Sequence, residues 1–284
     1  MKLASLFSTF AFGLVVSSSL FGFQAAGPFK GLTAEVEIFT NCEPPAKPCT
    51  DPQTRQITSR RADGAMSLTT WEKGDTKFPL AKVVLIGNQR VELRPSVKGK
   101  STFGIPAANI TRMEGSQLDP ASGCTARKDK GEILMKNPNI KGEIVPDQTV
   151  EVGGGMKVKT SLKTIETPIS TSKSWYAVDY ACFEVKTEFV RKPVKAAAGQ
   201  TTIHLTKSLK AGEPDAEAFA IPADYIEMKP TELRKATFLY SGKLQGKSDA
   251  DLQKEWAAMV ENNSITFEQD DKRYTESRTA AGLK

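Results

Sequence analysis

Reactive chemistry has few places to start in this chain. His204 is the single histidine, and a histidine acting as a base needs a Ser or Cys nucleophile within reach and a third group to orient it. The stretch around it, T-T-I-H-L-T-K-S-L at 201–209, carries no such signature. Strand alternation places His204 on one face with Thr202 and Thr206, and Ile203 and Leu205 on the other, so it reads as a surface or structural histidine. Asp179 with Glu184, and Asp215 with Glu217, could serve as acid pairs, yet nothing in their spacing sets two carboxylates across a substrate. Gly153-Gly154-Gly155 lacks the Gly-x-x-x-x-Gly-Lys-Ser/Thr pattern of a phosphate cradle and reads as a flexible hairpin loop. The acidic residues do not follow calcium-loop spacing. With no Cys-x-x-Cys and one histidine, the four cysteines do not make a zinc site. No catalytic residue, cofactor or metal is predicted, and the chain is read as a non-enzyme.

The cysteines point elsewhere. Cys42 and Cys49 bracket E-P-P-A-K-P, a loop stiffened by prolines, and Cys124 and Cys182 remain. Four cysteines allow three pairings; the stiff short loop favours Cys42–Cys49 with Cys124–Cys182. Disulfides belong to oxidising compartments, and the N-terminus agrees. Lys2 is followed by an apolar run to Phe23 and then by Gln24-Ala25-Ala26-Gly27, the layout of a secretory leader. No cysteine ends that leader, so no lipoprotein anchor is predicted. Localisation is read as periplasmic or secreted, with no stable membrane span after leader removal. The net charge of +6 is mild and the charges alternate in sign, which argues against a nucleic-acid partner.

The elements that would position any site are mostly strands. Residues 32–40 alternate. Residues 56–71 read as a hairpin turning at Asp63-Gly64, where both turn residues would take positive φ. Residues 81–86 and 90–93 form a pair about Gly87-Asn88. Pro106 argues against a regular strand over 102–112. Short strands are expected at 132–135, 143–145, 149–152 and 156–162. The run W-Y-A-V-D-Y-A-C-F-E-V-K-T-E-F-V at 175–190 is the strongest β segment. In it Phe183, Val185, Thr187 and Phe189 oppose a wet face of Cys182, Glu184, Lys186 and Glu188. Residues 201–209 are its antiparallel neighbour. One helix is clear, capped by Ser248, striped by Leu252, Trp256, Met259 and Val260, and ended by Asn262-Asn263; a second could begin at Pro230. Trp71, Trp175 and Trp256 are read as core. The fold class is mainly β with a few helices (α+β), with a C-terminal amphipathic helix. The chain divides into a leader at 1–26, a β-rich domain at 27–230 and an extension at 231–284 with one helix and a flexible tail.

The segment G-E-P-D-A-E-A-F-A-I-P-A-D-Y at 212–225 is compact and chemically silent. With the preceding Trp175-Tyr176 strand and T-x-x-L-T strand, it resembles the C-terminal end of a group of exported bacterial proteins of unknown function, which close on E-P-D-x-x-x-F-x-x-P-x-x-Y. Here that motif is Glu213, Pro214, Asp215, Phe219, Pro222 and Tyr225. The R-R-A-D-G-A turn at 60–65 looks like the group's early hairpin. The group is loosely similar to lipoprotein-carrier (LolA-like) half-barrels, in which a curved sheet wraps around helices and leaves an apolar cavity. The resemblance, carried by residues 175–225, implies a curved antiparallel sheet, half-barrel-like in form. It also implies that Phe219 and Tyr225 plug the sheet's edge or cavity and that Pro214 and Pro222 fix turns. Two readings of function follow. One is an exported envelope protein holding a lipid, an acyl chain or another apolar ligand in a concave sheet. The other is a structural or protein-interaction module of the envelope without a ligand cavity. The first predicts dry volume inside the sheet, the second an exposed apolar patch.

Overall fold

A computed structural model describes residues 31–41, 51–73, 78–105, 118–119, 124–126, 140–180, 182–193 and 199–283. The leader, the Cys42–Cys49 loop and the strand expected at 132–135 lie outside the described residues. Six strands, β1 (Leu32–Thr40), β2 (Thr54–Arg60), β3 (Met66–Glu72), β4 (Ala81–Ile86), β5 (Gln89–Arg94) and β6 (Gly99–Gly104), run as one meander. A two-residue pair, β7 (Leu118–Asp119) and β8 (Thr125–Ala126), stands apart from the main sheet. A second meander follows: β9 (Lys141–Val152), β10 (Met156–Glu166), β11 (Ser170–Ala177), β12 (Phe183–Arg191) and β13 (Gln200–Ala211). A short β14 (Ile226–Glu227) leads into helices α1 (Pro230–Leu244) and α2 (Asp249–Ala280).

The main sheet has twelve strands in the order β14-β6-β5-β4-β3-β2-β1-β13-β12-β11-β10-β9. It is curved and unclosed. Within the sheet the two meanders pair through β1 and β13, Leu32 facing Ala211 and Thr40 facing Thr202. Every pairing in it is antiparallel except β14 on β6. The fold is therefore mainly β, as alternation predicted, and a curved antiparallel sheet, as the resemblance implied.

Several elements differ from the expectation, each for a local reason. The run at 175–190 is two strands, because the 3-10 turn Val178–Tyr180 breaks it and Cys182 takes φ 57°. The fragments at 143–145 and 149–152 are one strand, β9. Val145 faces Leu162 and Gln148 faces Thr160, so Pro146 and Asp147 bulge out opposite Ser161. A proline without an N–H is tolerated at such a place on an edge strand. The β2–β3 connection spans Arg61–Ala65 and not a two-residue turn; only Gly64 has positive φ, and Asp63 Oδ1 accepts from Ala65 N at 3.0 Å. The extension holds two helices and no loose tail. α2 passes through a non-helical residue at Asn263 and continues to Ala280, with Tyr274 buried.

The larger core lies where the second meander curls back on itself beside β1. Leu32, Ala34 and Val36 of β1 and Leu209 of β13 pack with Val152, Val158, Ala177, Phe183 and Val185, and Trp175 and Tyr180 close in beside them. Gly153 makes the curl fit: a Cβ there would lie 1.6 Å from the Lys207 carbonyl oxygen of β13. The triple glycine thus seats the β9–β10 hairpin against β13. The helical hairpin packs on β6 at the opposite end of the sheet. Leu233 lies over Gly99, and Phe103 meets Tyr274 edge to face at 5.4 Å. Within the hairpin Trp256 stacks on Phe267 and touches Phe238, and Leu252 fills the space beside Gly242. α2 also covers the β6 edge. Thr102 N donates to Glu227 Oε1 at 2.8 Å, Gly104 N to Ser277 Oγ at 3.2 Å, and Arg278 to Thr102 O at 3.2 Å. An open strand edge is a template for another chain, and these contacts close it.

Candidate functional site

The closing segment is the first place where predicted residues meet. It leaves β13 at Gly212, whose N donates to Gly31 O at 2.8 Å. Glu213 Oε1 accepts from Ala62 N at 3.0 Å, and the Arg61 guanidinium stands 5.6 Å from the Phe219 ring. Phe219 is buried among Ala65, Val84, Val91 and Leu93, with Ala218, Ile221 and Tyr225 around it. The two motif fragments, R-R-A-D-G-A and E-P-D-x-x-x-F-x-x-P-x-x-Y, are therefore in contact. Lys82 Nζ donates to the Glu217 and Ala220 carbonyls at 3.2 and 3.1 Å; the first, inside the 3-10 turn Ala216–Phe219, also accepts from Ala220 N at 3.1 Å, and Ala220 ends that turn. Beyond Pro222, Tyr225 N bonds Pro222 O and Ile226 N bonds Lys98 O. Pro214 is half-buried, and Asp215 and Pro222 are exposed. The segment straps the β2–β3 loop and the face of β3–β5, and no titratable group in it is held in a buried site.

A second cluster has chemical character. Register aligns Lys163 of β10, Ser174 of β11, Thr187 of β12, His204 of β13 and Ile38 of β1 in one cross-strand row. Directly opposed residues share a face, so this row is polar across four strands. Glu184 joins it. The expected wet face would send Glu184 away from Thr187, but β12 bulges opposite Trp175 and Tyr176, and Thr187 Oγ1 donates to Glu184 Oε1. Burial pushes the Glu184 carboxyl above the usual range, while Thr187, Tyr176, Ser174 and the Lys163 charge draw it back. Burial also lowers the Lys163 ammonium and raises the Tyr176 phenol. It holds His204 down to about 4, so His204 is neutral at pH 7. The row offers a protonatable carboxyl, two hydroxyls, a phenol and an amine, but no nucleophile set against a base. Asp179 lies in the turn after β11 and does not join Glu184. Among the described residues, no three His, Cys, Asp or Glu side chains gather as a metal set.

Charge is buried on the first meander as well. Arg60 NH2 donates to Tyr180 O at 3.2 Å, tying β2 to the turn after β11, and burial lowers its guanidinium to about 10. Arg90 pairs with Glu92 at 2.5 Å and lies 5.4 Å from the Phe103 ring. Cys124 is joined to Cys182 with Cα atoms 5.5 Å apart; Cys42 and Cys49 lie outside the described residues. A pocket of about 260 Å³ at the end of β2 and β3 is lined by Asp51, Pro52, Thr54, Arg55, Glu72 and Lys73. Its cations are engaged, Lys73 by Asp51 and Arg55 by Glu35.

A feature that sequence reasoning missed lies at the end of the second meander. Ile169 is 57% exposed, Val190 41% and Phe189 39%. Their elements meet there: Ser170 faces Arg191, Arg191 faces Gln200, and Glu166 faces Lys141. The β10–β11 turn is firmly built. Thr167 Oγ1 accepts from Ser170 N at 2.9 Å and Ile169 N at 3.3 Å, and Lys192 N donates to Ile169 O at 2.9 Å. The signal was present in T-P-I-S, an isoleucine placed in a proline turn where a polar residue is usual.

No family model matches the chain, and no curated protein does. Solved structures share features of its architecture at low identity. An uncharacterised conserved protein from Thermus thermophilus aligns at 6% identity and TM-score 0.36, over 70% of this chain and 90% of that one. The MucA/MucB complex of Pseudomonas aeruginosa aligns at 12% and 0.34, over 72% of this chain and 60% of that one. A LolA superfamily protein from Nitrosomonas europaea aligns at 10% and 0.29, over 73% and 96%. No functional argument rests on likeness at this level.

Proposed function

We propose that the protein is an exported, non-catalytic docking module of the cell envelope. The observation that carries this reading is a contrast within the second meander: side chains of β1 and β9–β13 pack against one another, while Ile169, Phe189 and Val190 stand in solvent on a well-bonded tip. Soluble proteins gather apolar residues at the surface chiefly where something else covers them. Export is supported by the Cys124–Cys182 bond, since such bonds persist in oxidising compartments, and by the leader-like N-terminus. The non-catalytic part rests on the Glu184–His204 row, where Thr187 Oγ1 is engaged by Glu184 Oε1 and is not set as a nucleophile against a base. Native mass spectrometry of the protein recovered after export, before and after organic extraction, tests the reading. A bare polypeptide mass is expected. A mass surplus that extraction removes overturns it in favour of a lipid or acyl-chain carrier.

A further inference from the structure

We infer that the Ile169–Val190 tip docks on a membrane surface rich in anionic lipid, an inference that rests on the docking reading and names its partner. Three observations point there. The exposed apolar side chains come from both sides of a narrow sheet end. Val190 shares the face of Thr171, Phe189 takes the other with Ser172 and Thr202, and Ile169 stands in the turn just before β11. Such a wedge suits shallow insertion between headgroups, where apolar side chains enter and polar backbone stays wet. A stable protein partner would need a broad face, about 800 Å² on each side, whereas the exposed large apolar side chains described at this end are Ile169, Phe189 and Val190 alone.

The charge around the wedge fits the same partner. Among the described residues at this end, Lys141, Arg191 and Lys192 stand with Glu143, two positions along β9 from Lys141, and with Glu166. The Glu166 carboxylate is already bound to Lys192 Nζ at 2.8 Å. Lys141 and Arg191 are both exposed, and each basic residue near an anionic surface adds attraction that salt screens. The rigidity of the turn means that Ile169 is presented before contact, so insertion orders nothing further.

The test is flotation of the exported, disulfide-bonded protein with vesicles of phosphatidylglycerol and phosphatidylcholine, against vesicles of phosphatidylcholine alone. Binding to the anionic vesicles and weak binding to the neutral ones are expected. Ile169→Ser with Val190→Ser should weaken anionic binding by about tenfold or more, and Arg191→Gln by about fivefold. Both substitutions are at exposed positions, and unchanged thermal unfolding will confirm intact folds. Ile169→Trp should show a blue-shifted emission only with anionic vesicles. Equal binding by all variants, or equal binding to both vesicle types, overturns the inference. So does the absence of vesicle binding. In that case a photo-crosslinker at position 169 separates the levels: reproducible joining to one envelope protein leaves the docking reading standing with a protein partner, and no joining removes both.

Discussion

Glu184 and His204 lie on neighbouring strands, and burial acts on them in opposite senses. His204 is held to about 4, below its usual value near 6.5. The unfolded chain therefore takes up a proton that the native state refuses, and stability falls as pH drops from about 6.5 towards 4, by at most about 1.4 kcal/mol per pH unit. Glu184 is raised from 4.5. Its contribution is full below the unfolded value and is lost as pH rises through the native one. Urea unfolding followed from pH 4 to 8 should show both limbs. His204→Gln should flatten the acid limb, and Glu184→Gln should raise stability at pH 8 by removing a buried charge. Unchanged profiles in both variants would refute this assignment. The face of His204 was legible from alternation, because β13 is regular from Thr202 to Thr206 opposite β1. The place of Glu184 was not, because a bulge re-aims a side chain without leaving a mark in composition.

At the scale of elements, the glycines of the β9–β10 turn make different demands. Gly154 and Gly155 have φ 77° and open space around the missing Cβ, whereas Gly153 faces the Lys207 carbonyl. Gly154→Ala should cost about 1 kcal/mol through backbone strain alone. Gly153→Ala should cost several times more, because the hairpin must lift from β13. Chemical denaturation will rank the two, and hydrogen exchange should show β9 amides losing protection only in the second; equal costs would count against the seating role. Sequence identified this stretch as a hairpin loop but not as a packing surface, since the constraint comes from a strand far along the chain. β6 escaped notice for a related reason. G-K-S-T-F-G is a poor strand by propensity, yet Gly99 and Gly104 are where Leu233 and the Ser277 carbonyl approach. The polar end of α2 reads as loose because its partners are backbone groups of β6, not an apolar stripe.

At the scale of the molecule, fold class was legible because most strands of the main sheet contribute a short alternating run. Their order was not, since nothing local says that β1 lies beside β13. The Cys124–Cys182 bond adds a long-range tie across a separation of 58 residues. Replacing both cysteines with alanine should lower unfolding stability by about 2–4 kcal/mol, read from denaturant midpoints under oxidising conditions; an unchanged midpoint would show that the tie constrains little. The seam between β1 and β13 has a consequence in time. Each meander can assemble from neighbouring hairpins as the chain emerges, but Leu32 must wait for Ala211. Pairings so distant in sequence are slow to close. Until they do, β1 offers a bare edge to any passing strand. The newborn protein is therefore most vulnerable to aggregation in the interval between the arrival of its first strand and its thirteenth, and a chaperone able to shield β1 would be most effective there.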